Sequence, residues 1–182
     1  MALTVALRRQ QSRLAQRDDL VIRDVTSRGR EPWVRFSPFF PHGGIPVPFT
    51  VGRAAMSVEG IWQGLKVFES ADVDESKFDV ATMRGLKRTE RRFGHVLGHR
   101  RGVAGDGGLL GYVDARLQIY LPSYRWVLDH CVENLVDELR NEAEGRDVVL
   151  LDYTTNSDVS DTSRPLSHAA LVARYIAESW PS

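Results

Sequence analysis

Apolar and polar residues alternate along the chain in short stretches that predict helices and strands of modest length. The most informative stretch covers residues 57–68. There Val58, Ile61 and Trp62 recur at helical spacing behind Ser57, a residue type that caps helix N-termini. We therefore expect a helix over this stretch, with Glu59 in its first turn.

This predicted helix contains Gly60 and Gly64, four positions apart on one face. Each glycine destabilises a helix by about 1 kcal/mol relative to alanine. Two of them on one face indicate that something approaches the helix backbone closely, and close packing against another helix is the more common cause.

Periodicity and boundary residues predict the other elements as well. In chain order they are a flexible arm or short helix over 1–18, strands at Leu20–Val25 and Trp33–Phe36, a charged helix over 76–93, an extended segment at Tyr112–Leu121, a helix at Ser123–Glu144, a buried strand at Val148–Leu151 and a helix at Ser167–Glu178. No repeat or linker separates them. Residues 19–182 are therefore predicted to form a single compact α+β domain, mainly helical with a small sheet.

Composition narrows the class of protein. The 182 residues are 42% hydrophobic and 26% charged, which is typical of a globular chain. The 24 basic and 24 acidic residues cancel, which argues against polyanion binding over the whole surface. With one cysteine, Cys131, there is no internal disulfide, and no apolar run approaches the ~20 residues of a membrane span. We expect a cytoplasmic protein.

Three segments have compositions that packing alone does not require. Residues 36–48 combine four prolines with Gly43 and Gly44, which excludes a helix and predicts a rigid, aromatic-lined loop. The polar face of the 57–68 helix carries Glu59, Gln63 and Lys66, either as an ordinary solvated face or as part of a site. A hydroxyl-rich loop over 154–163 follows the buried strand.

Carboxylates in two of these segments suggest a chemistry. Glu59 together with an acid of the loop, drawn from Asp152, Asp158 and Asp161, would suit hydrolysis at an anomeric carbon. His95 and His99 are four apart, but no glutamate completes a zinc motif, and glycines flank both. The sequence predicts no metal and no other cofactor.

These segments resemble the NADAR (YbiA-like) N-glycosidases. Residues 36–41 read Phe-Ser-Pro-Phe-Phe-Pro, similar to that family's Phe-Ser-Asn-Phe-Tyr-Pro, and residues 97–100 are like its Leu-Gly-Arg step. Residues 150–158 resemble its strand and loop Leu-Val-Glu-x-Ser-Pro-x-Asp. The predicted helix over 57–68 is similar to that family's helix Ser-Val-Glu-His-Tyr-Tyr-Gln-Ala-Gln-Lys-Phe. The residues in register there are Ser57, Val58, Glu59, Gln63 and Lys66.

The resemblance implies an α+β domain that cleaves the N-glycosidic bond of an ADP-ribosylated nucleobase or another ribosylated metabolite. It implies that Glu59 and Asp158 are catalytic and that the reaction needs no cofactor. The substrate-binding residues implied by it and by the neighbouring segments are Phe39, His42, Gly43, Gly44, Trp62, Gln63, Lys66, Arg100, Asp152 and Asn156.

Two alternatives stay open at this level. Residues 84–101 contain seven basic residues and one acidic residue, so a non-catalytic nucleotide or nucleic-acid binding protein could use this segment through phosphate contacts. Such a protein would lose affinity on substitution of Arg88 or Arg92. A structural or assembly protein is the third class, and it would lack a ligand site.

Overall fold

The computed structural model describes residues 2–181. Its strands are β1 (Leu3–Leu7), β2 (Leu20–Asp24), β3 (Ile45–Pro46), β4 (Ala54–Ala55), β5 (Lys66–Phe68), β6 (Val96–His99) and β7 (Asp147–Asp152). Its α-helices are α1 (Gln11–Leu14), α2 (Val58–Gly64), α3 (Glu90–Phe93), α4 (Tyr112–Ala115), α5 (Leu121–His130), α6 (Glu133–Gly145) and α7 (His168–Ile176). The predicted α+β class is confirmed.

The chain divides into two compact units. The terminal unit takes the residues up to Ser37 together with those from Leu128 onward, and the central unit takes Pro38–Val127. Among residues 2–181 no helix is long and apolar enough to cross a membrane.

The terminal unit is built on a three-stranded parallel sheet in the order β1-β7-β2. The middle strand β7 reads as a continuous apolar run, and Val148, Leu150 and Leu151 are fully buried, as expected of a strand covered on both faces. The strand predicted at Val148–Leu151 is therefore confirmed. So are β2 and helix α7, whose N-cap is Ser167 as the sequence indicates.

Two segments of this unit form structures that differ from the predicted ones. Leu3–Leu7 forms an edge strand paired with β7, and only the residues after it are helical, because sheet pairing outweighs the weak helical spacing of its leucines. Trp33–Phe36 is a 3-10 turn following Pro32, where a strand was expected.

The long helix predicted over Ser123–Glu144 is two helices. Helix α5 ends at His130 and α6 begins at Glu133, with Val132 outside helical geometry between them. Tyr112–Leu121 is also helical, contrary to the extended segment expected. It comprises α4 and a π-helical turn at Arg116–Tyr120, which leads into α5 with Pro122 in the first turn, where a missing N–H is tolerated.

The central unit contains two small antiparallel sheets, β3-β4 and β5-β6, beside the buried helix α2. Residues 76–93, predicted as one helix, are mostly irregular. A 3-10 turn covers Glu75–Lys77, and α3 spans only Glu90–Phe93 before it stops at Gly94, as expected. Phe78 and Leu86 anchor the stretch between them in the core.

Candidate functional site

Helix α2 is fixed at its N-terminus by two polar contacts. The side chain of Ser57 accepts a hydrogen bond from the backbone N–H of Gly60 at 3.0 Å, which confirms the predicted N-cap. The backbone N–H of Glu59 donates to the carbonyl of Pro38 at 2.9 Å. The Pro/Gly/aromatic loop is therefore attached directly to the first turn of the helix.

The two glycines of α2 have a packing cause. A Cβ on Gly60 would lie 2.6 Å from the carbonyl oxygen of Lys77, and a Cβ on Gly64 would overlap the ring of Phe78. The 3-10 segment at Glu75–Lys77 thus lies against the glycine face of the helix. The close approach expected from the sequence is confirmed, and the neighbour is a protein segment.

Arg88 caps the other end of this helix from within the protein. Its Nη1 donates to the carbonyls of Gln63 at 3.1 Å and Lys66 at 2.6 Å, and its Nη2 donates to the carbonyl of Asp72 at 2.7 Å. The bond to Gln63 satisfies a carbonyl that the helix end leaves without a partner, and the other two bonds join Arg88 to the segments that follow the helix. Arg88 is 6% exposed, and burial lowers the pKa of its guanidinium.

Glu59 is buried on the inner side of α2, with 8% of the residue exposed. Gln63 donates from Nε2 to its Oε1 at 2.9 Å, and the backbone N–H of Arg88 donates to Gln63 Oε1 at 3.0 Å. Burial raises the pKa of Glu59 above its ordinary value, against the opposing effects of Gln63, Lys66 and Lys87. The neutral carboxylic acid is therefore favoured more than in water.

Trp62 forms the aromatic centre of the same cluster. Its ring meets that of His99 at 4.0 Å between centroids and meets the edges of Tyr112 and Tyr120 at 5.6 and 5.8 Å. The Nζ of Lys66 lies 5.9 Å from the Trp62 ring. Burial lowers the pKa of this amine, while Glu59 partly restores it.

His99 is fully buried, and within residues 2–181 neither of its ring nitrogens has a hydrogen-bond partner. It pairs with Lys66 across strands β5 and β6, so both side chains extend from the same face of that ribbon. Burial, and then the charge of Lys66, lowers the pKa of His99 to about 3, with a weak opposing effect from the Trp62 backbone. The imidazole is therefore neutral at physiological pH.

The aromatic residues of the 36–48 loop lie close to cationic or aromatic partners. The Nζ of Lys87 lies 5.8 Å from the Phe39 ring, and the rings of Phe40 and His42 are 4.8 Å apart. The same Lys87 acts electrostatically on Glu59. Phe39 and Lys87 therefore belong to the surroundings of the carboxyl group.

Gly43 and Gly44 have backbone φ angles of 78° and 68°, in the left-handed region that favours glycine. The N–H of Gly43 donates to the carbonyl of Met56 at 2.9 Å, just before the cap of α2. Their role in the structure is to turn the loop back onto the helix.

Arg100 is held by an acidic partner. Its Nε and Nη2 donate to the two carboxylate oxygens of Asp72 at 2.9 and 2.6 Å. This pairing lowers the pKa of Asp72 to about 2. The predicted phosphate contact of Arg100 would therefore compete with a bidentate ion pair.

The remaining predicted residues lie in the terminal unit. Asp152 is buried, and its Oδ2 accepts from the Ser167 hydroxyl at 2.7 Å and from the Ala169 N–H at 3.2 Å. His168 Nδ1 lies 3.1 Å from the same oxygen, and its Nε2 contacts the carbonyl of Val25 at 2.8 Å. Asp152 thus joins strand β7 to the start of α7.

Asn156 and Asp158 organise the loop that follows β7. The buried Asn156 amide donates to the carbonyls of Asp161 and Arg164 at 3.0 and 3.3 Å, and its oxygen accepts from the Asp158 N–H. The exposed Asp158 carboxylate accepts from the hydroxyl and N–H of Ser160, which lower its pKa.

The structure thus gathers Glu59, Trp62, Gln63 and Lys66 around α2. Asp158, the predicted second catalytic acid, belongs to the other unit, as do Asp152 and Asn156.

Sequence reasoning missed the parts that Arg88, Lys87 and His99 play in this cluster. Arg88 and Lys87 counted only as members of a basic segment, although Arg88 is buried. His99 lies inside the segment 97–100 that resembles the Leu-Gly-Arg step, but no local sequence pattern predicts that its side chain is buried beside Trp62. Among residues 2–181 no group of three or more His, Cys, Asp or Glu side chains could hold a metal ion.

Comparison with known proteins gives a family without an activity. A model described as a family of unknown function, DUF6939, matches residues 6–172. No curated protein and no solved structure matches the chain. Nothing in these comparisons links the chain to the NADAR proteins. Since the match covers nearly the whole sequence, this protein belongs to the DUF6939 family.

Proposed function

We propose that this protein is an N-glycosidase-like hydrolase that cleaves the bond between a ribose carbon and a base nitrogen. The observation that carries the proposal is Glu59, a buried carboxyl group that accepts a hydrogen bond from Gln63 and whose pKa is raised by burial against the opposing charges of Lys66 and Lys87. Perturbed carboxyl groups of this kind are typical of general acids and bases.

The proposed reaction uses Glu59 twice. As the neutral acid it protonates the leaving nitrogen while the carbon–nitrogen bond breaks and its electron pair moves to the base. As the resulting carboxylate it takes a proton from the water that attacks the sugar carbon, which restores the acid. The products are the free base and a ribose with a hydroxyl group at the anomeric carbon.

The surroundings of Glu59 suit a nucleotide-like substrate. Trp62 and Phe39 supply aromatic surface for a base, and Lys66 and Lys87 supply amines for a phosphate or hydroxyl group. An ADP-ribosylated nucleobase or another ribosylated metabolite of the cytoplasm is the proposed substrate. The chemistry relies on side chains alone.

The role of Asp158 as the second catalytic acid stays a prediction. The proposed steps use Glu59 alone as acid and base. The alternative of a nucleic-acid binding module also stays a prediction, and no observation in the structure favours it. Arg88, one of the two residues on which it depends, directs its guanidinium to backbone carbonyls inside the protein.

The proposal is tested by measuring base release from an ADP-ribosylated nucleoside and from a ribosylamino pyrimidine by chromatography. We expect Glu59→Gln to lower the rate by about 100-fold or more, because general acid–base catalysis contributes roughly 10²–10⁴-fold. Glu138→Gln, on the exposed face of α6, serves as the matched control with wild-type activity. Equal rates for folded Glu59→Gln and wild type would refute the proposal.

A further inference from the structure

The hydrogen bonds around Gln63 fix the orientation of its amide. The backbone N–H of Arg88 is a donor only, so the atom of Gln63 that it contacts at 3.0 Å is the amide oxygen. The amide nitrogen must then face Glu59, where it donates to Oε1 at 2.9 Å. No flip of the amide keeps both bonds.

From this chain of bonds we propose that Gln63 is a positioning residue, not a substrate ligand: it reserves Oε1 of Glu59 as an acceptor and directs the catalytic proton to Oε2. The inference rests on the proposed function, because it assigns the proton that the reaction transfers.

The proton assignment follows from donor and acceptor roles. A proton placed on Oε1 would meet the N–H of Gln63, so the two donors would oppose each other. Among residues 2–181 the bond from Gln63 is the only side-chain hydrogen bond that Glu59 makes, which leaves Oε2 for the proton and for the leaving nitrogen.

Arg88 secures Gln63 from two sides. Its backbone N–H holds the side-chain oxygen, and its guanidinium holds the main-chain carbonyl of the same residue at 3.1 Å. Both the backbone and the amide of Gln63 are therefore fixed to one neighbour.

The groups that act on the ionisation of Glu59 come from three places. Gln63 lies on the same helix, Lys66 on strand β5, and Lys87 in the segment before α3. All three lower the pKa of Glu59, against the larger effect of burial. Removing the Gln63 hydrogen bond therefore raises the pKa of Glu59 further.

The test titrates Glu59 itself. The carboxyl stretch of isotope-labelled glutamate is followed by infrared spectroscopy against pH, and Glu59→Gln identifies the band of Glu59. We expect Gln63→Met to move the midpoint upward by about one pH unit or more, since the hydrogen bond from Gln63 stabilises the charged form of Glu59. The basic limb of the hydrolysis rate should move by the same amount.

Two further variants keep the result decisive. Gln16→Met, on the exposed surface, should leave the midpoint of Glu59 unchanged. Gln63→Glu should replace the single step by two, because two carboxyl groups in contact share one proton. Gln63→Glu also tests the contact with Glu59 if Gln63→Met fails to fold.

The outcomes separate this inference from the proposed function. An unchanged midpoint in a folded Gln63→Met protein, or a single step in Gln63→Glu, overturns the positioning role even if Glu59 proves catalytic. A shifted midpoint in a protein that hydrolyses no N-glycoside supports the positioning role and overturns the proposed function.

Discussion

At the scale of single residues, His99 shows how a side chain can be isolated by its own fold. Its ring lies 4.0 Å from that of Trp62 at an angle of 39°, and neither nitrogen has a hydrogen-bond partner in the described part of the chain. Its pKa is lowered from 6.5 to about 3. Burying an unpaired polar group is costly. The folded protein therefore excludes the proton that the same imidazole binds in the unfolded chain.

This exclusion predicts an acid-sensitive contribution to stability. The contribution is complete above pH 6.5 and is lost as pH falls toward about 3, because only the unfolded state binds the proton. Between about pH 7.5 and about pH 5 the free energy of unfolding should fall by about 2 kcal/mol from this group alone.

Urea unfolding at several pH values checks the prediction. His99→Phe keeps a planar ring beside Trp62 but binds no proton, so its stability should depend less on pH over the same range. Parallel curves for His99→Phe and wild type would contradict the assignment.

At the scale of elements, helix α2 is short and rich in glycine, yet all seven of its residues are buried. Its stability comes from packing against the segment around Lys77 and Phe78 and from the Ser57 cap, because intrinsic propensity is unfavourable.

We expect Gly60→Ala to lower the free energy of unfolding by about 1–3 kcal/mol, since the new methyl group would press on the Lys77 carbonyl. Gly145→Ala at the end of α6 adds a methyl group in open space and should be neutral or stabilising. Chemical denaturation of both variants measures the difference. Equal stability of the two would contradict the close approach described for α2.

Whether a helix or strand could be predicted from the sequence depends on how far apart along the chain its stabilising contacts lie. The Ser57 cap, strand β7 and helix α7 depend on local patterns, and they were predictable. Strand β1 depends on pairing with β7, more than a hundred residues away in the chain, and no local pattern reports that. The helices before Pro122 differ from the prediction for another reason: a proline in the first turn of α5 does not interrupt the helical segment that leads into it.

The residues of the candidate site likewise divide into those that local spacing brings together and those that only the tertiary structure brings together. Glu59 and Gln63 share one face of helix α2, so their spacing alone brings them together, whereas Lys66 follows on strand β5. Arg88 and His99 reach the cluster from later segments, and their burial is a tertiary property. Neither could be assigned from the sequence.

At the scale of the whole molecule, the terminal unit depends on one carboxylate at the end of its central strand. Asp152 accepts hydrogen bonds from the first turn of α7 and contacts His168, which in turn contacts the carbonyl that follows β2. Two segments distant in sequence are therefore connected through this side chain.

We expect Asp152→Ala to lower the free energy of unfolding by about 3 kcal/mol, because its buried partners would be left unsatisfied. Asp158→Ala, whose carboxylate is exposed, should change it far less. Thermal and urea unfolding provide the comparison. A small effect of Asp152→Ala would show that water replaces the carboxylate in this network.

The order of strands β1-β7-β2 has a consequence for how the protein is made. During synthesis β1 and β2 leave the ribosome early, but the strand that separates them is translated only after the entire central unit. Until β7 emerges, β1 and β2 offer open edges to each other and to other nascent chains. The terminal unit therefore exposes unpaired strand edges, which favour aggregation, until β7 has been synthesised.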